Sequence, residues 1–467
     1  MQEKKLSEKC GVVGIYHPSE QVASSTFFSL FSLQHRGQES AGIATSDGSL
    51  IYEHKDLGLI NQVFDENKIL KLKGNISIGH TRYSTTGSNN YNNSQPIKVS
   101  GVNGDLLIGH NGNLINTEEI IQILNSWGIS TFNTTSDSEL IALMYVNAPG
   151  SNWGEKSKYC MGRLKGAYSI VMLNKDSLIC VRDPNGFRPL VLGKYREGFI
   201  VASETCALDH VGASFTRDIQ PGETIVISKN ELNSSLVINN AKKSLCSFEQ
   251  IYLSRPDSIL DGELTYSRRM KMGEILANEQ PASADLVIDV PDSATAAAVG
   301  YANRSGIPYV SGLIKNRYVG RTFISPDQKL RDIGVRIKFN TLNSVISGKR
   351  IVLVDDSIVR GTTTPQVIKM LRKAGATEVH VRVASPPIIS TCHFGVDTGK
   401  LDELVASRLT IEEIKNSINA DSLQYLSIDG LEESMDYKNN YCLGCFTKKY
   451  PIPVQLEMDK MKLEEKV

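Results

Sequence analysis

A short apolar run that ends in two adjacent carboxylates has the clearest chemical use in this sequence. Residues 351–354 are Ile, Val, Leu and Val, which predict a buried strand, and Asp355 and Asp356 follow at its end. The next residues are small or hydroxylated enough to turn the chain, and Thr364 with Pro365 predicts the cap and first position of a helix. A strand, a tight loop and a helix start aim backbone N–H groups at one point, which suits a phosphate.

This segment resembles the 5-phosphoribosyl 1-pyrophosphate motif of type I phosphoribosyltransferases. The alternative is an ordinary strand end followed by an acidic loop, but the apolar run, the paired aspartates and Gly-Thr-Thr are seldom combined by accident. The resemblance implies that one carboxylate meets the ribose hydroxyls while its neighbour, which points the other way, turns toward a metal-linked shell or the protein. The residues it assigns to phosphoribosyl pyrophosphate are Asp355, Asp356, Ser357, Ile358, Val359, Arg360, Gly361, Thr362 and Thr363.

Cys10 lies directly before a predicted strand, Gly11–Tyr16, which we expect to place the thiol at a sheet edge. Taken alone, a buried structural cysteine is the simpler interpretation, since the chain has eight cysteines. Motifs at 33–42, 79–85, 109–113 and 135–139 favour a chemical role instead. Their order and composition resemble the class II glutamine amidotransferase domain of the N-terminal nucleophile hydrolases.

This second resemblance implies a complete glutamine site. The mature chain would begin at Cys10, whose own α-amine, with a pKa of about 7.7–8.0, takes the thiol proton. Arg82 would hold the α-carboxylate of glutamine, and Asp137 the α-ammonium. Asn111 and Gly112 would stabilise the oxyanion. Without the resemblance, Arg82 and Asp137 would be a surface ion pair, and Asn-Gly a hairpin turn.

The second half adds motifs at 254–258, 290–293 and 313–323. Together with the glutamine domain they resemble amidophosphoribosyltransferase, the enzyme family that begins purine (IMP) synthesis, from Cys10 to about Lys449. The family's reaction hydrolyses glutamine and transfers the ammonia to C1 of phosphoribosyl pyrophosphate. It yields 5-phosphoribosylamine, glutamate and pyrophosphate, and the resemblance implies purine nucleotide inhibitors and a homodimer or homotetramer.

The same resemblance assigns charged residues around the pyrophosphate. Lys315 and Arg317, together with Arg321, would neutralise the leaving group from a mobile loop. Ser293 would join Asp355 and Asp356 around Mg²⁺, an ion that prefers oxygen ligands.

Four further cysteines are candidates for a metal centre. Cys442 and Cys445 form a C-x-x-C pair, which alone fits a redox pair or half of a zinc site. With Cys246 and Cys392 they resemble the [4Fe–4S] ligands of the iron–sulfur branch of the family. Spacing alone leaves zinc open. A structural cluster is favoured over a redox one, because the expected reaction moves no electrons.

Composition limits the remaining classes. The 467 residues carry a net charge of +0, so nothing indicates nucleic-acid binding, and no apolar run reaches the ~20 residues of a membrane span. The charged segment 1–9 does not resemble a secretory signal, and we expect a cytoplasmic protein.

Strand and turn patterns divide the chain from Cys10 onward into two parts. Residues 10–240, rich in short strands, predict an α+β sandwich, and residues 250–467, which alternate strand and helix, predict an α/β domain with a parallel sheet and a C-terminal segment. The resemblance implies that the sandwich is of the N-terminal nucleophile type, that the second part is a phosphoribosyltransferase domain, and that residues 1–9 are a propeptide.

Two other functions compete with the enzyme as interpretations of these motifs. A ligand-sensing regulator with a phosphoribosyl motif would need a basic DNA-binding element, which this neutral chain lacks. A glutamine domain serving a different acceptor, as in glucosamine-6-phosphate synthase or asparagine synthetase, would not need the paired aspartates at 355 and 356.

We predict that the active protein begins at Cys10, because the proposed base is the α-amine of that residue. N-terminal sequencing of active enzyme checks this. Full glutamine-dependent activity in chains that keep residues 1–9 would contradict the α-amine mechanism.

Overall fold

The structure is a computed structural model that describes residues 10–83, 90–239, 241–316, 338–436 and 439–454. Its first half is built from antiparallel strands and its second half around a parallel sheet. The predicted α+β sandwich followed by an α/β domain is therefore confirmed. Among the described residues, no helix has the length and apolar character needed to cross a bilayer.

The first half contains two large sheets. The seven-stranded sheet has the order β11-β9-β10-β1-β4-β2-β3, and the six-stranded sheet has the order β13-β12-β8-β7-β6-β5. The strands are β1 (Gly11–Tyr16), β2 (Ser40–Ser46), β3 (Ile51–Leu57), β4 (Ile76–Arg82), β5 (Ile97–Gly101), β6 (Gly104–Leu114), β7 (Gly166–Leu173), β8 (Leu178–Arg182), β9 (Val191–Tyr195), β10 (Gly198–Ala202), β11 (Ser214–Asp218), β12 (Glu223–Ser228) and β13 (Glu231–Leu236). The helices are α1 (Ala23–Ser32), α2 (Ile60–Val63), α3 (Glu66–Lys71), α4 (Thr117–Ser126), α5 (Asp137–Asn147), α6 (Trp153–Met161) and α7 (Cys206–Asp209).

Alternating side chains stack these sheets between two helical layers. On β1, Val13 packs with Leu30 of α1, while its neighbour Val12 packs with Val171 of β7 in the other sheet. On the far face of β7, Ile170 packs with Leu140 of α5. The order of layers is thus helix, sheet, sheet, helix.

The position of β1 corrects one expectation. We expected Cys10 at a sheet edge, but β1 lies between β10 and β4 in the interior of the seven-stranded sheet. The strand is buried on both faces, and its continuous apolar content reflects that position. The thiol therefore stands at the end of a central strand.

The second half is organised around a parallel sheet of order β17-β20-β21-β22. Its strands are β14 (Leu245–Cys246), β15 (Ile259–Leu260), β16 (Glu263–Leu264), β17 (Leu286–Asp289), β18 (Leu313–Lys315), β19 (Phe339–Thr341), β20 (Arg350–Asp355), β21 (Glu378–Val383), β22 (Ser422–Tyr425) and β23 (Tyr441–Cys442). Its helices are α8 (Thr265–Glu279), α9 (Thr295–Ser305), α10 (Asn343–Ile346), α11 (Thr363–Lys373), α12 (Ile411–Ile418), α13 (Ile428–Ser434) and α14 (Gly444–Thr447). A π-helical turn, Glu249–Leu253, lies just after β14.

Two details of this half bear on the sequence expectations. Helix α11 begins at Thr363 with Thr362 as its N-cap, slightly before the predicted start at Thr364 and Pro365. The core of this half already includes Leu245, in the stretch where a domain boundary is expected. The boundary between residues 240 and 250 stays a prediction.

Helices α8 and α9 approach each other closely enough for backbone contact. A Cβ added to Gly300 would lie 2.0 Å from the carbonyl oxygen of Met270, and one added to Gly273 would lie 1.9 Å from that of Ala297. Neither position can hold a side chain unless the helices separate. This packing supports the strand β17, whose C-terminal end leads into the site described below.

We predict that Gly300→Ala lowers the free energy of unfolding by roughly 1–3 kcal/mol or more, because the added methyl group overpacks the helix contact. Gly162→Ala is the matched control. Gly162 ends helix α6 with a right-handed helical φ of −69°, and the nearest atom to its added Cβ is 3.4 Å away, an ordinary van der Waals contact, so the change should be neutral or stabilising. Thermal or denaturant unfolding of both variants checks this, and equal stabilities would contradict the close approach of α8 and α9.

Candidate active sites and the cysteine set

The first site is formed where β1 and β4 run side by side. Gly11 pairs with Thr81, so Cys10 and Arg82 are neighbours at the ends of these strands. The Cys10 thiol is half-buried, and it donates to the carbonyl oxygen of Tyr83 at 3.5 Å. Burial raises the pKa of Cys10 to about 11, against the opposing effect of Arg82. At neutral pH the thiol is therefore protonated and needs a base before it can attack.

Asp137 is fixed in the same region at the first turn of α5. Its Oδ2 atom accepts from the backbone N–H of Leu114 at 2.9 Å, and its Oδ1 atom is 3.7 Å from Nδ1 of His110. Burial alone would raise the pKa of Asp137, but His110 and the hydrogen bonds lower it below its ordinary value. The structure thus provides a buried carboxylate that stays charged and acts electrostatically on Cys10.

Asn111 and Gly112 lie inside β6, opposite Ser169 and Tyr168 of β7, and not in the hairpin turn that Asn-Gly alone would favour. Asn111 is fully buried, and within the described ranges neither its Oδ1 nor its Nδ2 atom has a hydrogen-bond partner. Such groups normally find partners, so this amide is available to a ligand.

Gly112 has no room for a side chain, because an added Cβ would lie 1.9 Å from the carbonyl oxygen of Ala167.

The structure also reveals residues that the sequence analysis did not assign. Glu39 lies 4.0 Å from Arg82, and its charge also acts on Cys10. The carbonyl oxygen of His110 is 3.0 Å from Nε2 of His80, whose pKa burial lowers to about 3, so His80 is neutral. His110 belongs to the motif at 109–113, and its place beside Asn111 was the only available signal.

The second site is a pocket of about 290 Å³ at the C-terminal end of the parallel sheet. The loop between β20 and α11 forms much of its wall, and Gly361 turns that loop with a φ of +70°, a conformation that favours glycine. Asp355 and Asp356 are buried there, and the N–H of Asp356 donates to Oδ1 of Asp355 at 3.0 Å. All nine residues predicted at this loop line the pocket: Asp355, Asp356, Ser357, Ile358, Val359, Arg360, Gly361, Thr362 and Thr363.

Other predicted residues reach the same pocket. Ser293 and Lys315 line it, and Nζ of Lys315 pairs with Asp292 at 2.8 Å. Arg317 and Arg321 lie outside the described residues. Oxygen donors and a lysine around one cavity are suited to a magnesium ion and the phosphate groups of a ligand.

Two residues of this pocket were missed by the sequence analysis. His35, from the first half of the chain, lines the pocket, and its Nε2 atom is 2.7 Å from Glu204. Arg269 also lines it, and burial lowers the pKa of Arg269 to about 10 although Asp356 opposes that shift. His35 stands in the motif at 33–42, which indicates the glutamine domain and not this pocket, and Arg269 stands in none of the motifs above. Only the fold brings them to the pocket of Asp356.

Cys246, Cys392, Cys442 and Cys445, called here the cysteine set, are brought together between the two halves. Cys246 and Cys442 are paired on the parallel strands β14 and β23. Burial raises the pKa of Cys246 to about 12. Burial also raises the pKa of Cys445, and the charges of the other three cysteines raise it further. Buried thiols that influence one another are a suitable donor set for a soft metal centre.

The identity of a metal at the cysteine set is left open by the structure. Among the described residues, no three His, Cys, Asp or Glu side chains form a group that could hold a metal ion. Zinc and iron–sulfur clusters are both bound by cysteine thiolates, so the choice between them stays a proposal.

Comparisons with known proteins indicate the family of the chain. The glutamine amidotransferase domain family matches residues 80–210. The amidophosphoribosyltransferase of Synechocystis is 48% identical over 98% of this chain and 94% of that protein, and the Bacillus subtilis enzyme of the same name is 46% identical over 97% and 96%.

Solved structures show the same likeness. One is described as glutamine phosphoribosylpyrophosphate (PRPP) amidotransferase from B. subtilis complexed with ADP and GMP; its TM-score is 0.90 at 46% identity, covering 96% of this chain and 99% of that one. Another, described as the structure of the allosteric regulatory enzyme of purine biosynthesis, has a TM-score of 0.90 at 45% identity, covering 98% and 99%.

An antiparallel sandwich with a cysteine at its central strand, joined to a parallel sheet with an acidic loop, defines a glutamine amidotransferase fused to a phosphoribosyltransferase. The sequence identity of 46–48% over nearly the whole chain specifies the family within this class. The chain belongs to the amidophosphoribosyltransferase family, and it is an enzyme.

Asn111 gives a prediction that separates ligand binding from folding. Asn111→Leu removes two buried polar atoms without partners, so we expect the free energy of unfolding to stay the same or rise by about 1 kcal/mol. The same change should lower glutaminase kcat by about 100- to 1000-fold, as loss of an oxyanion donor does.

Asn116→Leu is the matched control for Asn111→Leu. The Asn116 side chain bonds the carbonyl of Arg163 at 2.8 Å and the N–H of Lys165 at 2.9 Å, so its loss should destabilise the fold. Denaturant unfolding and glutaminase assays check both variants. Equal destabilisation by the two would mean that Asn111 is needed for folding and is not reserved for a ligand.

Proposed function

We propose that this protein makes 5-phosphoribosylamine at the first step of purine synthesis, using glutamine as the nitrogen source. Glutamine is hydrolysed at Cys10, and the released ammonia displaces pyrophosphate from C1 of phosphoribosyl pyrophosphate. The single observation that carries the proposal is the presence, in one folded chain, of Cys10 beside Arg82 and of Asp355 and Asp356 in a pocket of about 290 Å³.

The glutaminase reaction follows from the first site. Glutamine's α-carboxylate binds Arg82 and its α-ammonium binds Asp137, which leaves the side-chain amide facing Cys10. The thiolate attacks the γ-carbonyl carbon, and the oxyanion is held by Asn111 and the backbone of Gly112. Ammonia leaves as a thioester forms, and water then releases glutamate.

The proton balance of this step requires a base near Cys10. The raised pKa of the thiol makes spontaneous ionisation at pH 7 rare. The α-amine of a chain beginning at Cys10 takes the thiol proton and returns it to the leaving ammonia. Removal of residues 1–9 is therefore part of the proposal.

Transfer takes place in the second pocket. The β20–α11 loop binds the 5-phosphate, and Asp355 and Asp356 orient the ribose. Ser293, Asp355 and Asp356 would hold Mg²⁺, which supplies positive charge against the pyrophosphate. Lys315 stabilises the same leaving group, and Arg317 is proposed to assist it.

The cysteine set is proposed to hold a [4Fe–4S] cluster with a structural role. Cys246 lies where the chain passes between the halves, and Cys442 and Cys445 lie near its end, so one cluster would cross-link the connection.

The remaining proposals concern setting and regulation. The name of the related structure with ADP and GMP supports purine nucleotides as inhibitors. A homodimer or homotetramer and a cytoplasmic location are proposed from the family resemblance.

Cys10→Ala should abolish synthesis with glutamine and leave synthesis with ammonium salts intact, because the two reactions occupy separate sites. Asp355→Ala and Asp356→Ala should impair both. Cys160→Ala, which removes a thiol from the core of the first half, should preserve both. Pyrophosphate release with each nitrogen source measures this, and loss of both activities in folded Cys10→Ala would refute the division of labour.

The cysteine set predicts iron at about four atoms per chain, with brown colour and broad visible absorbance. Cys442→Ser should lose this iron, whereas Cys160→Ser should keep it. Elemental analysis decides the matter, since a protein containing zinc and no iron would replace the cluster with a zinc site.

A further inference from the structure

We propose that the segment His393–Gly395 of the second half, held in place by Arg188, positions Gly112 in the glutamine site. This segment is called here the buttress. The inference rests on the proposed function, because it takes Gly112 as an oxyanion donor. It adds positioning residues that lie outside the glutamine site itself.

The buttress touches Gly112 backbone to backbone. A Cβ added to Gly395 would lie 3.0 Å from both the carbonyl carbon and the carbonyl oxygen of Gly112. Gly395 has a φ of +89°, so it adopts a conformation that glycine accepts and other residues resist. On its other side Gly112 faces the carbonyl of Ala167, where an added Cβ would lie at 1.9 Å. The Cα and carbonyl group of Gly112 are therefore confined between β7 and the buttress, which restricts the residue whose N–H is the proposed oxyanion donor.

A hydrogen bond joins the same two segments at the next residue. Nδ2 of Asn113 donates to the carbonyl oxygen of His393 at 3.2 Å, across 280 positions of sequence. Asn113 directly follows Gly112 in β6. Movement of the buttress would consequently move the strand that carries Asn111 and Gly112.

Arg188 binds the buttress through the backbone carbonyl of Phe394. Its Nε atom donates to the carbonyl oxygen of Phe394 at 3.1 Å, and its Nη2 atom donates to the same oxygen. The rings of Phe187 and Phe394 stack with their centroids 4.2 Å apart. Phe187 and Arg188 lie in one turn of the first half. In this turn the carboxylate of Asp183 accepts from the N–H groups of Asn185 and Phe187.

Arg188 is itself anchored by Glu249, and both side chains are fully buried. Nη1 of Arg188 pairs with Oε1 of Glu249 at 3.2 Å. Oε2 of Glu249 accepts from Ser254 Oγ at 2.8 Å, and Ser254 lines the sugar-phosphate pocket. The support of the oxyanion site thus extends to the wall of the second pocket.

Gly395→Ala is the decisive variant. Its methyl group presses on Gly112, so glutamine-dependent kcat should fall about 10- to 1000-fold, in the range seen when an oxyanion donor is lost. The KM for glutamine should stay within about twofold, because the donor acts mainly in the transition state. Synthesis from ammonia should be unchanged, since that reaction does not use the glutamine site.

Two inhibitors distinguish positioning from general damage. The γ-semialdehyde of glutamate adds the Cys10 sulfur to its carbonyl carbon and forms a tetrahedral oxyanion-like adduct, whereas glutamate only fills the site. Gly395→Ala should weaken inhibition by the semialdehyde by about the same factor as kcat. Inhibition by glutamate should not change.

Gly306→Ala is the matched control, because Gly306 also has a positive φ, of +73°, but an added Cβ meets no atom within 4 Å. It should keep both activities. If Gly395→Ala does not fold, Asn113→Ala, which removes the bond to His393, takes its place with the same expected pattern.

Unchanged kcat in the folded variant, or equal loss of inhibition by semialdehyde and glutamate, would overturn the inference. Failure of the proposed function looks different. There the unmutated enzyme would make no product from glutamine, whereas an active unmutated enzyme with an unaffected Gly395→Ala refutes the buttress alone.

Discussion

The ion pairs of the buried Glu249 carboxylate are the interactions that fix the position of the second half of the chain against the first, and with it the position of one site relative to the other. The carboxylate pairs with Arg36 at 2.8 Å and with Arg188 at 3.2 Å, both from the first half of the chain. Removing one partner of such a buried group typically costs about 3–5 kcal/mol, because a charge remains unpaired. The two halves are therefore held at a defined distance by charges that tolerate little displacement.

Glu204 extends this network and gives it a pH dependence. Burial would raise the pKa of Glu204, but Arg36 and His35 hold it well below its ordinary range. A carboxylate with a lowered pKa contributes stability above its unfolded pKa of about 4.3, and that stability is lost as the pH falls further. His35 and Ser254 of this network also line the sugar-phosphate pocket, so the ions that join the halves border one of the two sites.

Local sequence identified the candidate site residues better than it identified the residues that surround them in the fold. The strand before Asp355, the turn at Gly361 and the helix after it follow from apolar runs, backbone freedom and helix capping within about twenty residues. Arg82, Asn111 and Asp137 were found through motifs whose members stay close to their own strands or helix. The roles given to these side chains stay predictions.

Long-range contacts explain what the sequence did not provide. Whether β1 lies at an edge or in the centre depends on its partners β10 and β4, and nothing in Gly11–Tyr16 specifies them. The contact between Gly395 and Gly112 joins positions far apart in sequence, and each glycine alone predicts only a turn. Tertiary contacts of this kind outweigh local preference.

In the proposed function, the nitrogen released at Cys10 is the nitrogen added to the sugar in the second pocket, and from this we predict transfer without equilibration with the solvent. Isotope competition tests it most directly: amide-¹⁵N glutamine is supplied with excess unlabelled ammonium, and the ¹⁵N content of trapped phosphoribosylamine is measured. Direct amination is first subtracted using a reaction without glutamine. The product is expected to keep nearly all of the label. Dilution of the label to the isotope ratio of the bulk ammonium would contradict it.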